Sequence, residues 1–125
     1  MVSRVAQVIG VRFTVEMDQL DGALPREAEM NLYRVAQEAI SNLVKHSAAS
    51  EARVTLKREA EGVRLTICDN GRGFDSQAAA TADKRGFGLT SMAERVRLLK
   101  GHLAVRSAPG QGTVIEVMLK NGEIR

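Results

Sequence analysis

One helical stripe limits what this chain can become. Leu32, Val35, Ala36, Ala39, Ile40 and Leu43 recur at intervals of three and four, which sets them on a single helix face. Pro25 stands at a helix's favoured first position, and Glu27 and Glu29 fall where the helix dipole favours negative charge. The pattern runs to about His46, and Ser47-Ala48-Ala49-Ser50 releases it. On either side the period drops to two. Val11, Phe13, Val15 and Met17 alternate with Arg12, Thr14 and Glu16. Ala52, Val54 and Leu56 alternate with Arg53, Thr55 and Lys57, and Val63, Leu65 and Ile67 with Arg64 and Thr66. The Glu59-Ala60-Glu61-Gly62 turn joins the last two runs into a hairpin. A second helical stripe follows (Leu89, Met92, Ala93, Val96, Leu99), then strands at Leu103 and Val105 and at Ile115, Val117 and Leu119 around the turn Pro109-Gly110-Gln111-Gly112. Elements with one apolar face each must bury those faces on one another. The expected fold is therefore α+β, a two-layer α/β sandwich with a mixed, largely antiparallel sheet packed on helices.

At 125 residues the chain has the length of one domain, and it shows no internal repeat. Residues 1–9 carry little signal and read as a linker or terminal extension, 10–120 as the domain, and 121–125 as a C-terminal tail. Asp75 to Arg85 is polar and Ala-rich and reads as a loop. The 18 Lys and Arg are interspersed with 15 Asp and Glu, Trp is absent, and Tyr33 and three Phe are the only aromatics. Neither a basic stripe nor stacking platforms are present, so no nucleic-acid partner is expected. Cys68 is the only cysteine, which excludes an internal disulfide and fits a reducing, cytoplasmic compartment; its apolar run suggests a buried structural thiol. No stretch approaches the roughly 20 apolar residues of a membrane span, so this segment is expected to make no membrane contact, whether or not a longer parent is anchored in one.

Four polar features do not belong to a plain sandwich. On the first helix Asn31, Arg34, Glu38, Asn42 and Lys45 form a stripe beside the core face. Such a stripe is ordinarily the wet side, but Glu38 and Asn42 are oxygen donors one turn apart, suited to a hard cation such as Mg2+, and Lys45 is a point charge that suits a phosphate. His46, between stripe and core, reads equally as a packed histidine or a ligand. Asp69 shares parity with Val63, Leu65 and Ile67, which turns a carboxylate inward. An inward carboxylate needs donors: either an Asx-turn onto Gly71, or an exocyclic amine such as that of adenine, which the glycines Gly71 and Gly73 would let approach. Thr113 shares parity with Ile115, Val117 and Leu119 and also faces inward. Gly86-Phe87-Gly88 opens the second helix, where free backbone N–H groups and the dipole favour an anion, with Lys84 and Arg85 just before it. The motif is neither a P-loop nor a dinucleotide fingerprint.

Taken in order, Gln37-Glu38-Ala39-Ile40-Ser41-Asn42-Leu43-Val44-Lys45-His46 resembles the N box of the histidine kinase and gyrase superfamily. Asp69-Asn70-Gly71-Arg72-Gly73-Phe74 resembles its first glycine box, Gly86-Phe87-Gly88-Leu89 its second, and Gly110-Gln111-Gly112-Thr113 its glycine-threonine element. The wording of the N box and the short stretch after the first glycine box are similar to the nitrate-sensor type of two-component sensor kinase. The resemblance implies a Bergerat-type ATP-binding fold with ATP and Mg2+ as cofactors. It implies that Asp69 binds the adenine amine with support from Thr113, and that Asn42 and Glu38 hold Mg2+ and form the catalytic pair. Lys45 and His46 would contact phosphate. Gly71 and Gly73 would shape the adenine wall, and Gly86, Phe87, Gly88 and Leu89 would form the phosphate-side lid. Only His46 and His102 are present. A phosphoacceptor histidine is therefore expected on a separate dimerisation domain, with a response regulator downstream. The same residues leave open a superfamily ATPase, an anti-sigma-factor-type serine kinase, or a regulatory ATP-binding module without chemistry.

Overall fold

A computed structural model of the chain describes residues 2–8, 10–20, 24–73 and 89–120. The elements run β1 (Val2–Val8), β2 (Val11–Met17), α1 (Arg26–His46), β3 (Glu51–Glu59), β4 (Gly62–Asp69), α2 (Leu89–Leu98), β5 (His102–Ser107) and β6 (Thr113–Lys120). The six strands form one sheet in the order β1-β2-β3-β4-β6-β5. β2 and β3 are parallel, and every other pairing is antiparallel. α1 is thus the crossover of a β2–α1–β3 unit, and the sheet is mixed and largely antiparallel, as the periodicities require.

Parity decides what each strand buries. Phe13, Val54, Leu56, Val63, Leu65, Ile67, Val117 and Leu119 face the helices and join one core with Leu32, Val35, Ala39 and Leu43 of α1 and Met92 and Val96 of α2. Arg64 bridges Glu59 at 3.1 Å and Glu116 at 2.6 Å, and Arg53 stands 4.0 Å from Glu16. These residues have the opposite parity, so the sheet's other face is a ladder of paired charges, which contributes little to stability and keeps that face wet.

Two sequence expectations change here. Residues 2–8 are not a linker but an edge strand, paired residue for residue with β2 from Val2↔Met17 to Val8↔Val11. Their apolar residues do not alternate strictly, so the strand follows from an available partner edge and from a reversal at Gly10, whose φ is +80°. Cys68 is half-buried, not a core thiol. It is one residue out of phase with Ile67, so β4 turns it toward the wet face beside Arg12 and Arg53.

α1 ends by a side-chain device. Ser47 Oγ donates to the Leu43 carbonyl and accepts from Ala49 N–H at 3.1 Å, while Ala48 takes a left-handed φ of +53°. The chain therefore turns off the helix at a fixed point, with the Ser47 carbonyl pointing away from it to serve as an acceptor for the segment after β4.

Candidate functional site

The helical layer and the sheet part at one end to leave a cleft of about 480 Å3, open mouth included. α1 supplies one wall with Ala39, Asn42, Leu43, His46 and Ser47, and the sheet supplies the other with Ile67, Asp69, Gly73, Thr113 and Ile115. Most of the exposed lining is apolar, and the polar side chains of Asn42, His46, Ser47, Asp69 and Thr113 converge in it, which is the composition of a small-molecule site.

Asp69 closes β4, and its register partner is Thr113, the first residue of β6. Its Oδ1 accepts from Gly71 N–H at 2.8 Å, and the Thr113 backbone N–H also donates to the carboxylate. Burial pushes the Asp69 carboxyl above the ordinary aspartate range, and the bonds from Gly71 and Thr113 pull it back part of the way. An ionised carboxylate has about four lone-pair positions, so two backbone donors leave it able to accept more. The Asx-turn and the ligand-acceptor readings are thus compatible.

Thr113 is the only buried polar side chain among the described residues, at 7% exposure. Its Oγ1 lies 2.8 Å from Ser107 Oγ on β5, and Ser107 Oγ in turn donates to the Gly112 carbonyl at 3.0 Å.

The first glycine segment is compressed between α1 and the β5–β6 turn. Arg72 N–H donates to the Ser47 carbonyl at 2.7 Å, and Gly110 N–H donates to the Arg72 carbonyl at 2.6 Å. A Cβ on Gly71 would stand 2.3 Å from the Ser47 carbonyl oxygen. One on Gly73, whose φ is +65°, would stand 2.1 Å from that of Ala108. These glycines are required first by the protein's own backbone, and only through it by a ligand. Gly73 lines the cleft, while Gly71 holds the Asp69 carboxylate in place.

Asn42 and His46 lie one turn apart on α1, half-buried, and both line the cleft. Lys45 is exposed and lies outside the lining set. Glu38, one turn before Asn42, turns to the second helix: its Oε2 accepts from Ser91 Oγ at 3.3 Å and stands 3.9 Å from Arg95 Nε. The structure therefore brings together Asn42, His46, Asp69, Gly73 and Thr113, with Gly71 behind Asp69. It does not place Glu38 or Lys45 on the same surface. Gly86, Phe87 and Gly88 lie outside the described residues, as does the side chain of Leu89, the first residue of α2.

Among the described residues no group of three or more His, Cys, Asp or Glu could hold a metal. The donors present fit Mg2+ in another way. Mg2+ takes one or two protein oxygens and completes its shell with water and substrate phosphates, and the Asn42 amide offers one such oxygen on the cleft wall.

Several working residues gave no signal in the sequence pattern. Ser107 holds Thr113, and Ser91 and Arg95 hold Glu38. Asn70 Oδ1 accepts from both Ser50 and Glu51 N–H at 3.0 Å, which locks the start of β3 to the end of β4. Proximity of Asn70 to Asp69 is the sole hint of it in the chain; the others are set by contacts between elements.

Residues 27–123 match the family model described as histidine kinase-, DNA gyrase B-, and HSP90-like ATPase. The chain is 42% identical over 97 residues to the signal transduction histidine-protein kinase/phosphatase DegS of Bacillus subtilis, covering 78% of this chain and 25% of that protein. It is 36% identical over 107 residues to the nitrate/nitrite sensor protein NarX of Escherichia coli, covering 84% of this chain and 17% of that protein. The fold is similar to that of the blue-light activated histidine kinase EL346 of Erythrobacter litoralis, with a TM-score of 0.76 at 19% identity over 90% of this chain and 36% of that one. The chain thus spans a quarter or less of the length of these two curated relatives.

Proposed function

Because this chain belongs to the histidine kinase-, DNA gyrase B- and HSP90-like ATPase family and is homologous to sensor histidine kinases, we propose that its cleft binds Mg-ATP and presents the γ-phosphoryl group to a histidine on a separate dimerisation domain. The observation that carries this reading is the half-buried carboxylate of Asp69 at the floor of an apolar cleft, with capacity left to accept from an amine, and the amide of Asn42 on the facing helix wall.

In this reading Asp69 accepts from the adenine amine and Thr113 supports it. Ile67, Ile115, Ala39 and Leu43 cover the flat faces of the ring, and Gly73 gives it room. Asn42 holds Mg2+, which when bound neutralises charge on the phosphates. His46 meets the phosphate end from the last turn of α1. Phosphoryl transfer of this kind asks for positioning and charge neutralisation more than covalent chemistry, so a rigid adenine end and a phosphate end open to the incoming imidazole suffice. Glu38, held by Ser91 and Arg95, acts beside Asn42 as the second member of the catalytic pair. Lys45, exposed on the same turn as His46, approaches the outermost phosphate. The partners are the dimerisation domain and, through it, a response regulator in the cytoplasm.

The test is transfer of labelled phosphate from Mg-ATP to a separately supplied dimerisation domain of a related kinase. Transfer that is lost in Asn42→Ala, with the fold intact by circular dichroism, supports the assignment. Steady phosphate release without transfer, lost in Glu38→Gln, would move the chain to the ATPase branch of the family.

A further inference from the structure

Glu38 belongs to the Asn42 stripe of α1, yet its carboxylate is committed to another element. α2 carries Ser91 and Arg95 four residues apart, and so on one face. Ser91 Oγ donates to Glu38 Oε2 at 3.3 Å, and Arg95 Nε stands 3.9 Å from the same oxygen. Arg97, the other arginine of α2, is engaged by Glu94 instead. Both helices are anchored beneath this clasp, since Val35 and Ala39 of α1 and Met92 and Val96 of α2 are at most 2% exposed. The Glu38 side chain is therefore the movable part. Its torsions let one Cα send the carboxylate along α1 toward Asn42, one turn away on the cleft wall, or across to α2. Ser91 and Arg95 select the second.

That choice matters because two nucleophiles compete for a γ-phosphoryl group. Water must give up a proton as its oxygen bonds to phosphorus and the bond to the ADP oxygen breaks, so it needs a base close by. A neutral imidazole attacks through its unprotonated nitrogen, ADP leaves in the same way, and the other ring proton passes to solvent afterwards. A carboxylate free to accept at the phosphate end assists the first reaction in a way the second does not require. We propose, on the Mg-ATP reading above, that Ser91 and Arg95 are specificity-determining positioning residues: by clasping the Glu38 carboxylate to α2 they withhold it as a base for water, and so direct the phosphoryl group to histidine and away from hydrolysis. Neither residue touches nucleotide in this account; both act through Glu38, whose charge still stands one turn from Asn42. The clasp is partly exposed, so each contact biases the carboxylate by a modest factor, and the effect is one of partition.

The experiment follows phosphate release and phosphohistidine formation side by side from labelled Mg-ATP, with the 125-residue chain alone and with a separately supplied dimerisation domain of a related kinase. Arg95→Ala and Ser91→Ala are each expected to raise acceptor-independent phosphate release about threefold, and the double variant roughly tenfold, while the phosphohistidine formed per ATP consumed falls. ATP affinity stays as in wild type, and Arg95→Lys and Ser91→Thr bring release back toward the wild-type rate. In a Glu38→Gln background neither alanine substitution raises release. Release that stays at the wild-type rate in the double variant, or that rises as much in the Glu38→Gln background, overturns the proposal while the nucleotide site stands. Release and transfer falling together would mean that the contacts merely brace α1 against α2, and overturns it equally. Failure of wild type to bind Mg-ATP overturns the nucleotide reading itself, and this proposal with it.

Discussion

Replacing Asp69 by Asn separates the cost of the site from its use. The substitution keeps the shape and exchanges one acceptor oxygen for an NH2 donor. Gly71 N–H, 2.8 Å from Oδ1, the Thr113 backbone N–H and a bound amine are all donors, so whichever way the amide settles it turns hydrogens toward one of them. A hydrogen bond to a charged acceptor is worth about 1.5–3 kcal/mol net, so its loss weakens nucleotide binding by roughly 10- to 150-fold. Stability should respond differently. The folded carboxyl lies above its ordinary range, and burial is the main cause. Its stabilising contribution is therefore complete below the unfolded aspartate pKa and is lost as pH rises through the raised folded value. At neutral pH the ionised group is a burden, and the uncharged amide removes it. The amide also forfeits one charge-assisted backbone bond, a cost of about 1–2 kcal/mol that offsets much of the relief. At roughly 3–5 °C per kcal/mol for a domain of this size, Tm at pH 7 should stay within about 5 °C of wild type. As pH falls toward the ordinary aspartate range, wild type should gain on Asp69→Asn. Scanning calorimetry across pH, paired with titration by a non-hydrolysable ATP analogue, reads both quantities. Unchanged affinity, or a neutral-pH Tm lowered by well over 5 °C, would refute the reasoning, because the carboxylate would then be a structural keystone and not a ligand acceptor.

Gly71→Ala places a Cβ 2.3 Å from the Ser47 carbonyl oxygen, so the chain must shift; a loss of about 1–3 kcal/mol, or roughly 3–15 °C in Tm, is expected by thermal melting. Arg95→Ala removes a partly exposed pair at 3.9 Å and should change stability by less than about 1 kcal/mol in urea titration, while phosphotransfer falls if Arg95 orients Glu38. Chelation of Mg2+ by EDTA should weaken ATP binding by calorimetry in wild type and have a smaller effect in Asn42→Ala, which has already lost the amide ligand.

The elements with strict periods are legible in the sequence alone. α1, β2, the β3–β4 hairpin and β6 follow the apolar spacing closely, since burying one face is the dominant requirement on each. Parity likewise placed Asp69 and Thr113 on the helix side of the sheet, and the register makes them partners. What escaped was set by the neighbour, not by the residue. β1 exists because β2 offers an edge. Gly71 and Gly73 looked like room for a ligand, but the groups that forbid a side chain there, the Ser47 and Ala108 carbonyls, come from distant parts of the chain. Glu38 was placed correctly on its helix, yet Ser91 and Arg95 of α2 decide where its carboxylate points. The parity rule also contained the answer for Cys68, since a residue next to the inward Ile67 faces out.

The two walls of the cleft come from separate parts of the chain: one from α1, within the parallel crossover unit, the other from the β4 exit and β6. A molecule seated between them acts as a fastener across segments well separated along the chain. Its grip would slow the unzipping of the native state far more than it would hasten assembly, so occupancy translates into longevity of the domain against proteolysis.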